Sequence, residues 1–417
     1  MGQTMTTADA ALKNFYLDPV RSQINEKNVL LEYTSKGKVD AEGRYAVLSL
    51  HTKRNSSVGS RADGNYLPGT LIAGTTTAIG QQSFAEQRVE LKQLWGRIQI
   101  NERVLKAAKS NRGSFINVMN VETEGLANDM KKDLNRQLFG DGSGKIAQFG
   151  TTSASTTVVL HTTATTRAQL RQLEVGMKID IGTVADPDLR GASVEILTVD
   201  FASIGAATFT VASAITTATT DFAFRAGVGA GSTTTGVELT GLASIADSAG
   251  TLFNVDPASH PRWSSYEKGS VGAITDDALI AMIQEIGYES GESPDVLLTT
   301  NGVVRSYAAS LAVQKRFANS MDLKGGFKGL SVGAGNSEVG LTDDRDCPAG
   351  TLFALNSKHL MQHVAGDWEW MDLDGAIWSR QANLPSYEAS LFRFHELTTD
   401  RRNSLGKLTG ITDPGNV

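Results

Sequence analysis

The sequence predicts a mixed α+β protein, and three patterns support this class. A long helical pattern ends near residue 139, short alternating stretches follow between about residues 165 and 230, and helix and strand patterns alternate after residue 275. Helical and extended segments in this order do not repeat as βαβ units, which favours an α+β architecture. With 417 residues, the chain is long enough for two or three domains and a substantial core.

Residues 1–40 are predicted to form an N-terminal arm, because they hold one short helical pattern and few apolar residues. Residues 41–100 are predicted to form an extended β-hairpin loop, which we call the finger. Its two strands are expected in YAVLSLHT and QRVELKQLWGRIQI, where apolar and polar residues alternate. A long two-stranded hairpin is marginal in isolation, so the finger needs a surface to lie on.

The distal part of the finger, KRNSSVGSRADGNYLPGTLIAGTTTAIG, is rich in Gly, Ser and Thr. A loop of this length is uncommon within a compact domain and is usually functional. Its basic and apolar side chains have no evident place in a core of the same chain. We therefore predict that an interface between subunits includes Arg54, Val58, Arg61, Tyr66, Leu67, Leu71 and Ile72.

Residues 101–150 are predicted to hold a long helix over residues 101–139 and a turn after it. Gly140 is expected to end the helix in the left-handed conformation, which glycine adopts at low cost. The next residues, GDGSGK, look like a phosphate-binding loop. A P-loop, however, needs Gly where Phe139 stands and Ser or Thr where Ile146 stands. We therefore interpret the stretch as a helix stop and a tight polar turn.

Residues 151–240 are predicted to form an inserted small β-barrel or β-sandwich. After Gly150 the composition changes to Thr, Ala and Ser, and four alternating stretches follow: MKIDI, VEILTVDF, TFTVASAI and DFAFRAG. Short strands at regular spacing with Gly-containing turns are typical of a small β unit. The Thr-rich start and the GVGAGSTTTG end are interpreted as linkers, which predicts that residues 165–235 fold alone.

Residues 241–417 are predicted to combine helices and strands. Thr275 is a candidate helix N-cap, and Gly287 is expected to end that helix. The remaining elements are expected as strand PDVLLTTN, helix GVVRSYAASLAVQKRF, strand AGTLFALN, helix SKHLMQHV, and a returning strand region that begins at LPSYEASLFRF.

The composition limits the function classes. The formal charge of −6 argues against a dedicated nucleic-acid binder. Residues 1–150 carry 20 Lys and Arg against 15 Asp and Glu, whereas residues 151–417 carry 19 against 30. The front is therefore basic (+5) and the back acidic (−11), as either separate solvated surfaces or complementary faces of neighbouring copies. The single Cys347 excludes an internal disulfide and fits a reducing compartment. No apolar run approaches the roughly 20 residues of a membrane span.

No catalytic or metal-binding constellation emerges from the sequence. His359 and His363 stand four apart on a predicted helix, but Leu360 occupies the position of the zinc-protease Glu, and Asp367 lies beyond Gly366. A solvated or capping role is favoured over metal binding. An acidic cluster is interpreted as a solvated turn, formed by Asp343, Asp344 and Asp346, and strand-face packing is preferred for Trp368, Trp370 and Trp378.

Four segments, taken in chain order, resemble the major capsid proteins of tailed double-stranded DNA bacteriophages, which have the Hong Kong 97-like fold. RNSSVGSRADGNYLPGT resembles the extended loop, and NDMKKDLNRQLFGDGSG the end of the spine helix. SPDVLLTTNGVVRSYAASL is similar to a segment of the axial domain, and SYEASLFRFHELTTDRRNSLGKLTGI to the closing strands. The resemblance implies that residues 101–150 belong to the peripheral domain and that 241–417 hold the axial domain and returning peripheral strands.

The resemblance further implies that many copies assemble as hexameric and pentameric capsomers into an icosahedral shell around packaged phage DNA. A separate scaffolding protein and a portal protein are expected partners, with a decoration protein left open. The DNA is expected to be contacted non-specifically, with no membrane, cofactor or enzymatic activity. The shell would be part of the virion and assemble in the host bacterial cytoplasm.

Three alternatives remain beside this expectation. Some relatives crosslink an extended-loop lysine to an asparagine of another subunit; Lys53 is the candidate here, although a solvated or ion-paired role is favoured. Encapsulins share the fold and enclose cargo enzymes. A hydrolase with an appended β-sandwich is a further class, against which the lack of a catalytic site counts.

Overall fold

The computed structural model describes residues 29–38, 45–55, 58, 71–72, 75–76, 81–102, 118–161, 166–184, 189–200, 207–227, 238–313, 320–322, 328–334, 337–372, 377–382 and 384–414. In chain order its elements are α1 (Val29–Tyr33), β1 (Ser35–Lys38), β2 (Tyr45–Lys53), β3 (Leu71–Ile72), β4 (Thr75–Thr76), β5 (Ser83–Glu90), β6 (Lys92–Asn101), α2 (Val118–Phe139), β7 (Ala147–Gln148), β8 (Thr152–Val159), α3 (Arg167–Leu170), β9 (Lys178–Gly182), β10 (Gly191–Asp200), β11 (Thr208–Thr217), β12 (Phe222–Arg225), α4 (Leu242–Ile245), β13 (Tyr266–Lys268), α5 (Asp276–Ser290), β14 (Val296–Thr299), α6 (Asn301–Val313), β15 (Ser320–Asp322), β16 (Lys328–Ala334), β17 (Ser337–Asp343), β18 (Leu352–Leu355), β19 (Leu360–Trp370), β20 (Ser379–Arg380), β21 (Ser386–Thr399), a 3-10 turn (Arg402–Ser404) and β22 (Gly406–Leu408).

A seven-stranded sheet with the order β13-β22-β18-β14-β17-β16-β15 forms one unit of the fold. Helix α5 is amphipathic, and its apolar residues pack into the same core as those of the sheet, including Leu279, Met282, Ile283, Leu297 and Leu341. Thr275 is confirmed as the N-cap of α5, because its hydroxyl accepts a hydrogen bond from the Ala278 N–H. The mixed helices and sheets confirm the predicted α+β class.

The predicted end of α5 at Gly287 is wrong, because the helix continues to Ser290. Gly291 supplies the left-handed residue with φ 77°, and its N–H donates to the Gly287 carbonyl. A glycine within a helix costs only about 1 kcal/mol, so the buried face that continues through Ile286 outweighs Gly287 as a stop signal.

The second unit, which we call the body sheet, runs β1-β19-β21-β6, and β20 pairs with β21 beside the end of β19. Helix α2 lies directly on β6: a Cβ added to Gly96 would stand 2.6 Å from the Met130 Sδ. The two elements contribute Leu94, Met130 and Leu134 to one core. Residues 103–117, where the sequence places the start of the helix, lie outside the described residues.

The predicted helix SKHLMQHV is wrong, because Leu360–Trp370 form the strand β19. This strand pairs antiparallel with β21 from Leu360 opposite Thr399 to Trp370 opposite Leu391. A short apolar run cannot be assigned to helix or strand by periodicity alone, and here the long ladder with β21 decides.

The predicted second strand of the finger is two strands with different partners. β5 pairs antiparallel with β2, from Tyr45 opposite Glu90 to Lys53 opposite Ser83. After Leu91 the chain enters β6, which pairs with β21 in the body sheet. The hairpin therefore ends near Glu90, and the QLWGRIQI half of the stretch belongs to the body sheet.

A six-stranded sheet with the order β7-β12-β9-β10-β11-β8 follows α2, and we call it the third sheet. A bridge between Phe149 and Leu160 links its two end strands. The four strands predicted from alternation are confirmed as β9 to β12. The sheet has a core of its own, built from residues such as Phe149, Val158, Leu160, Ile179, Ile181, Ile196, Phe209 and Val211.

The Thr-rich start of this region is not a linker, because residues 152–159 form β8 and pair with β11. Thr is favoured in strands by its branched side chain, so a Thr-rich run beside a β unit predicts a strand as well as a linker. Gly140 does not adopt the left-handed conformation either; Gly142 and Gly144 do, with φ 83° and 79°. In this turn the Asp141 carboxylate accepts the Ser143 N–H at 3.0 Å and pairs with Lys145 at 2.7 Å.

We predict that residues 146–227 fold as an isolated fragment and give a dispersed amide NMR spectrum. Residues 165–235, the boundaries expected from sequence, should not, because they lack β7 and β8 and would expose Phe209 and Val211. Exposing two such side chains costs roughly 3–6 kcal/mol, which is a large part of the stability of a small domain. A dispersed spectrum from the shorter fragment alone would contradict the prediction.

Candidate functional site

The finger presents one uncovered apolar face. Because side chains alternate along a strand, Tyr45, Val47 and His51 of β2 share a face with Phe84 and Arg88 of β5. Val47 is 56% and Phe84 62% exposed, and the His51 and Phe84 rings lie 5.3 Å apart. We call this surface the outer face of the finger. Large apolar side chains exposed together indicate a surface used for association.

The opposite face of the finger is fixed to the rest of the chain. Val89 and Leu50 are buried, and the Gln87 side chain donates to the Thr399 carbonyl at 3.2 Å. The Arg88 N–H also donates to the Phe253 carbonyl at 3.0 Å. The finger is thus seated at its base, and its outer face points away from this core.

The predicted interface residues have different outcomes. Arg54 and Val58 are exposed, Val58 by 84%, and Lys53 is exposed as well. For Leu71 and Ile72 the structure gives the backbone, which pairs with Thr75 and Thr76 as a short hairpin. The predictions for Arg61, Tyr66 and Leu67 lie outside the described residues. The structure does not bring the described members of the set to one site.

Sequence reasoning missed an aromatic cluster on the body sheet, formed by Trp95 of β6 with Phe392 and Phe394 of β21. The Trp95 ring lies 5.4 Å from that of Phe392, which lies 5.4 Å from that of Phe394. Trp95 is 53% exposed, and an ion pair between Arg97 and Glu388 flanks the rings. The signal was the cross-strand register of β6 and β21, which a single sequence does not reveal.

The interpretation of the acidic cluster as a solvated turn is wrong for Asp344, which is buried. Its Oδ2 accepts the N–H groups of Val29 at 3.1 Å and Leu30 at 3.2 Å, at the start of α1. Its Oδ1 accepts from Asn135 Nδ2 at 3.1 Å and from the Asp346 N–H at 3.0 Å. Burial and the charge of Asp346 raise the pKa of Asp344 to about 6. This carboxyl therefore caps α1 from a distant part of the chain.

The two histidines that raised a metal hypothesis have structural roles. His359 Nδ1 lies 2.8 Å from the Asp400 carboxylate and its Nε2 3.3 Å from that of Glu292. His363 is buried in β19, where burial lowers its pKa. Within the described ranges, no cluster of three His, Cys, Asp or Glu side chains could hold a metal ion. Trp368 packs on the Arg393 guanidinium at 5.1 Å, so strand-face packing is confirmed there.

Glu396 of β21 is buried, and its Oε1 accepts the N–H groups of Thr240 at 2.6 Å and Leu397 at 3.1 Å. Burial raises the pKa of its carboxyl from 4.5 to about 8. The unfolded chain therefore loses this proton near pH 4.5, whereas the folded chain keeps it to about pH 8. The stability contributed by the protonated form is complete below pH 4.5 and disappears as pH rises to about 8.

We expect the wild-type free energy of unfolding to fall relative to that of Glu396→Gln between pH 5 and pH 8. The slope of the difference should approach about 1.4 kcal/mol per pH unit, and the difference should be constant above pH 8. Urea unfolding at pH 5, 6, 7, 8 and 9 measures it. Parallel pH profiles for the two proteins would show that Glu396 is ionised in the folded state.

The comparisons with known proteins concern the fold. No protein-family model and no curated protein sequence match the chain. Among solved structures, the cyanophage A-1(L) capsid aligns with 99% of this chain and 100% of its own, with a TM-score of 0.57 and 13% identity. The SrpI encapsulin of Synechococcus elongatus PCC 7942 aligns with 100% of this chain and 99% of its own, with a TM-score of 0.50 and 8% identity. Among the described helices, none has the length and apolarity that crossing a bilayer requires. The chain therefore has a fold that a phage capsid protein and an encapsulin also have.

Proposed function

We propose that the protein is a structural subunit that self-assembles in many copies into the icosahedral capsid shell of a tailed bacteriophage, around packaged DNA. One observation carries the proposal: the outer face of the finger is uncovered, while its inner face is bonded to its own body, so the chain cannot cover that face itself. A surface that must be covered by a different surface of the next copy makes head-to-tail contacts, which extend into rings and shells. The likeness to the cyanophage capsid supports the same function.

The proposal assigns the parts of the Hong Kong 97-like plan as follows. The arm is residues 1–40, the extended loop 41–100, and the spine helix with its turn 101–150. The third sheet would be the inserted domain, within residues 151–240 and with β7 added. The seven-stranded sheet would be the axial domain, and the body sheet with α2 the peripheral domain, both within the remaining region and its partners.

The finger would be the clamp between subunits. Arg54, Val58, Arg61, Tyr66, Leu67, Leu71 and Ile72 are the proposed contacts of its distal part, and Phe84 and Val47 of its outer face. Four buried apolar side chains would contribute roughly 6–12 kcal/mol before the cost of ordering the loop. The exposed Lys53 is a crosslinking candidate, although a solvated lysine is favoured.

The same proposal names the partners and the location. Hexameric and pentameric capsomers would form first, with a separate scaffolding protein and a portal protein; a decoration protein stays open. The shell would be part of the virion, assembled in the host bacterial cytoplasm, and would touch DNA without sequence preference. The net charge of −6 fits a lining that does not hold the genome tightly. No enzymatic role is proposed.

We expect the expressed protein to form hollow particles of megadalton mass in negative-stain microscopy and light scattering. A monomer of 44.4 kDa that persists over a wide concentration range would contradict the proposal. The encapsulin alternative, which the SrpI likeness keeps open, is tested by the contents of native particles. Nuclease-protected double-stranded DNA supports the capsid, whereas an enclosed enzyme without DNA supports an encapsulin.

A further inference from the structure

The three residues Asp344–Asp346, here called the hub loop, contact four separate parts of the chain. Asp344 caps α1 through the N–H groups of Val29 and Leu30. Asn135 of α2 donates to both carboxylates, at 3.1 Å to Asp344 and 2.7 Å to Asp346. The Asp344 N–H donates to the carbonyl of Thr299, the last residue of β14, at 2.9 Å.

The fourth contact comes from the third sheet. Arg171 Nη2 donates to the Arg345 carbonyl at 2.7 Å, and Gln172 Nε2 donates to Asp346 Oδ1 at 3.4 Å. Both residues follow α3 directly, and the next residue, Leu173, is buried in the core of the third sheet. The position of the hub loop is therefore fixed partly by a unit with its own core.

Helix α1 depends on this loop. It has five residues, far fewer than the 12–15 that give even marginal helices in water. Its first N–H groups lack acceptors within the helix, and Asp344 supplies the acceptor for two of them. Val29, Leu30 and Tyr33 are buried, so packing and this distant cap hold the helix.

We propose that the hub loop couples the third sheet to α1, so that undocking the sheet loosens the helix. When Arg171 and Gln172 leave, Arg345 and Asp346 lose two of the contacts that fix them, and Asp346 is bonded to Asp344 through its N–H. Asn135, which bridges the two carboxylates, then loses a fixed acceptor. Asp344 is held less firmly beneath Val29 and Leu30. The loop transmits this change because it is short and each of its residues has a partner on a different element.

The coupling gives the third sheet a role that follows from the proposed function. Residues 1–40 are the proposed arm of a shell subunit, and α1 is the first described element within it. Docking of the inserted sheet would set how firmly the root of the arm is held. The inference rests on the proposed function only for this consequence, because the coupling itself is a property of one subunit.

Hydrogen exchange of the full-length chain tests the coupling. In the double variant Arg171→Ala/Gln172→Ala, we expect the Val29 and Leu30 amides to exchange at least about tenfold faster than in wild type. Glu195→Ala is the matched control, because Glu195 is exposed on β10 and away from the hub loop; it should leave both amides unchanged. Exchange of the β21 amides reports whether the body stays folded in each variant.

Thermodynamic coupling is reciprocal, which provides a second measurement. Asp344→Ala removes the cap and should speed exchange at Val29 and Leu30 and also at Leu173, whose N–H donates to the Leu170 carbonyl. If this variant does not fold, Asp344→Asn replaces it, since its amide presents N–H groups to the Asn135 and Asp346 donors. Unchanged α1 exchange in the Arg171/Gln172 variant, with faster exchange in the Asp344 variant, overturns the coupling. Neither result depends on whether particles form, so failure of assembly is a separate outcome.

Discussion

The double variant Val47→Asp/Phe84→Asp is expected to remain a folded subunit that no longer assembles. Both side chains lie on the outer face of the finger, and neither contributes to a core of its own chain. Replacing exposed residues usually changes the free energy of unfolding by about 0.5 kcal/mol or less. In the proposed shell the same side chains are buried, so each loses roughly 1.5–3 kcal/mol of apolar burial and adds a charge without a partner.

The effect on assembly is therefore expected to be large, because every subunit repeats the contact. Sedimentation should show particles for wild type and only small species for the variant, with identical circular dichroism. Val175→Asp is the matched control, since Val175 is 66% exposed on the third sheet; it should still assemble. A shorter finger lacking residues 55–80 should behave like the double variant. Normal particles from the double variant would remove the outer face from the interface.

Local signals in the sequence predicted much of the fold. Thr275 followed by two acidic residues and an apolar stripe gave the start of α5, because caps and periodicity act within a few residues. The alternating stretches gave β9 to β12 for the same reason. Where two local structures are compatible with one pattern, the prediction failed: Leu360 to Val364 fit a helical face and also a strand buried in the body sheet.

The features that lie at the candidate site depend on contacts between distant residues. Asp344 looked like a member of a solvated turn, yet it caps a helix 315 residues earlier in the chain. Trp95 joins Phe392 and Phe394 only because β6 and β21 pair in one register. The distal finger could be recognised as unusual from composition, but the uncovered face at Phe84 required knowledge of the strand pairing.

Arg402→Ala is expected to destabilise the protein by roughly 3–5 kcal/mol, the range for losing a buried group with several partners. Its guanidinium is buried and donates to the carbonyl oxygens of Ile245 at 3.1 Å, Gly250 at 3.0 Å, Ser244 at 3.1 Å and Ala249 at 2.9 Å. These carbonyls belong to the end of α4 and the turn after it. Burial lowers the pKa of Arg402 from its ordinary value of 12.5, while the charges of Asp247 and Glu267 oppose that shift.

The neighbouring Arg401 provides the control for this prediction. Its side chain is 46% exposed and pairs with Glu292 at 3.1 Å, and exposed pairs of this kind contribute about 0–1 kcal/mol. Urea unfolding of Arg401→Ala should thus stay close to wild type. Arg402→Lys should fall between the two, because one ammonium has three donors and cannot reach four carbonyls in a planar arrangement. Equal stability of the Arg401 and Arg402 alanine variants would mean that water replaces the guanidinium, and that the turn after α4 is held by its apolar neighbours Leu242 and Ile245 alone.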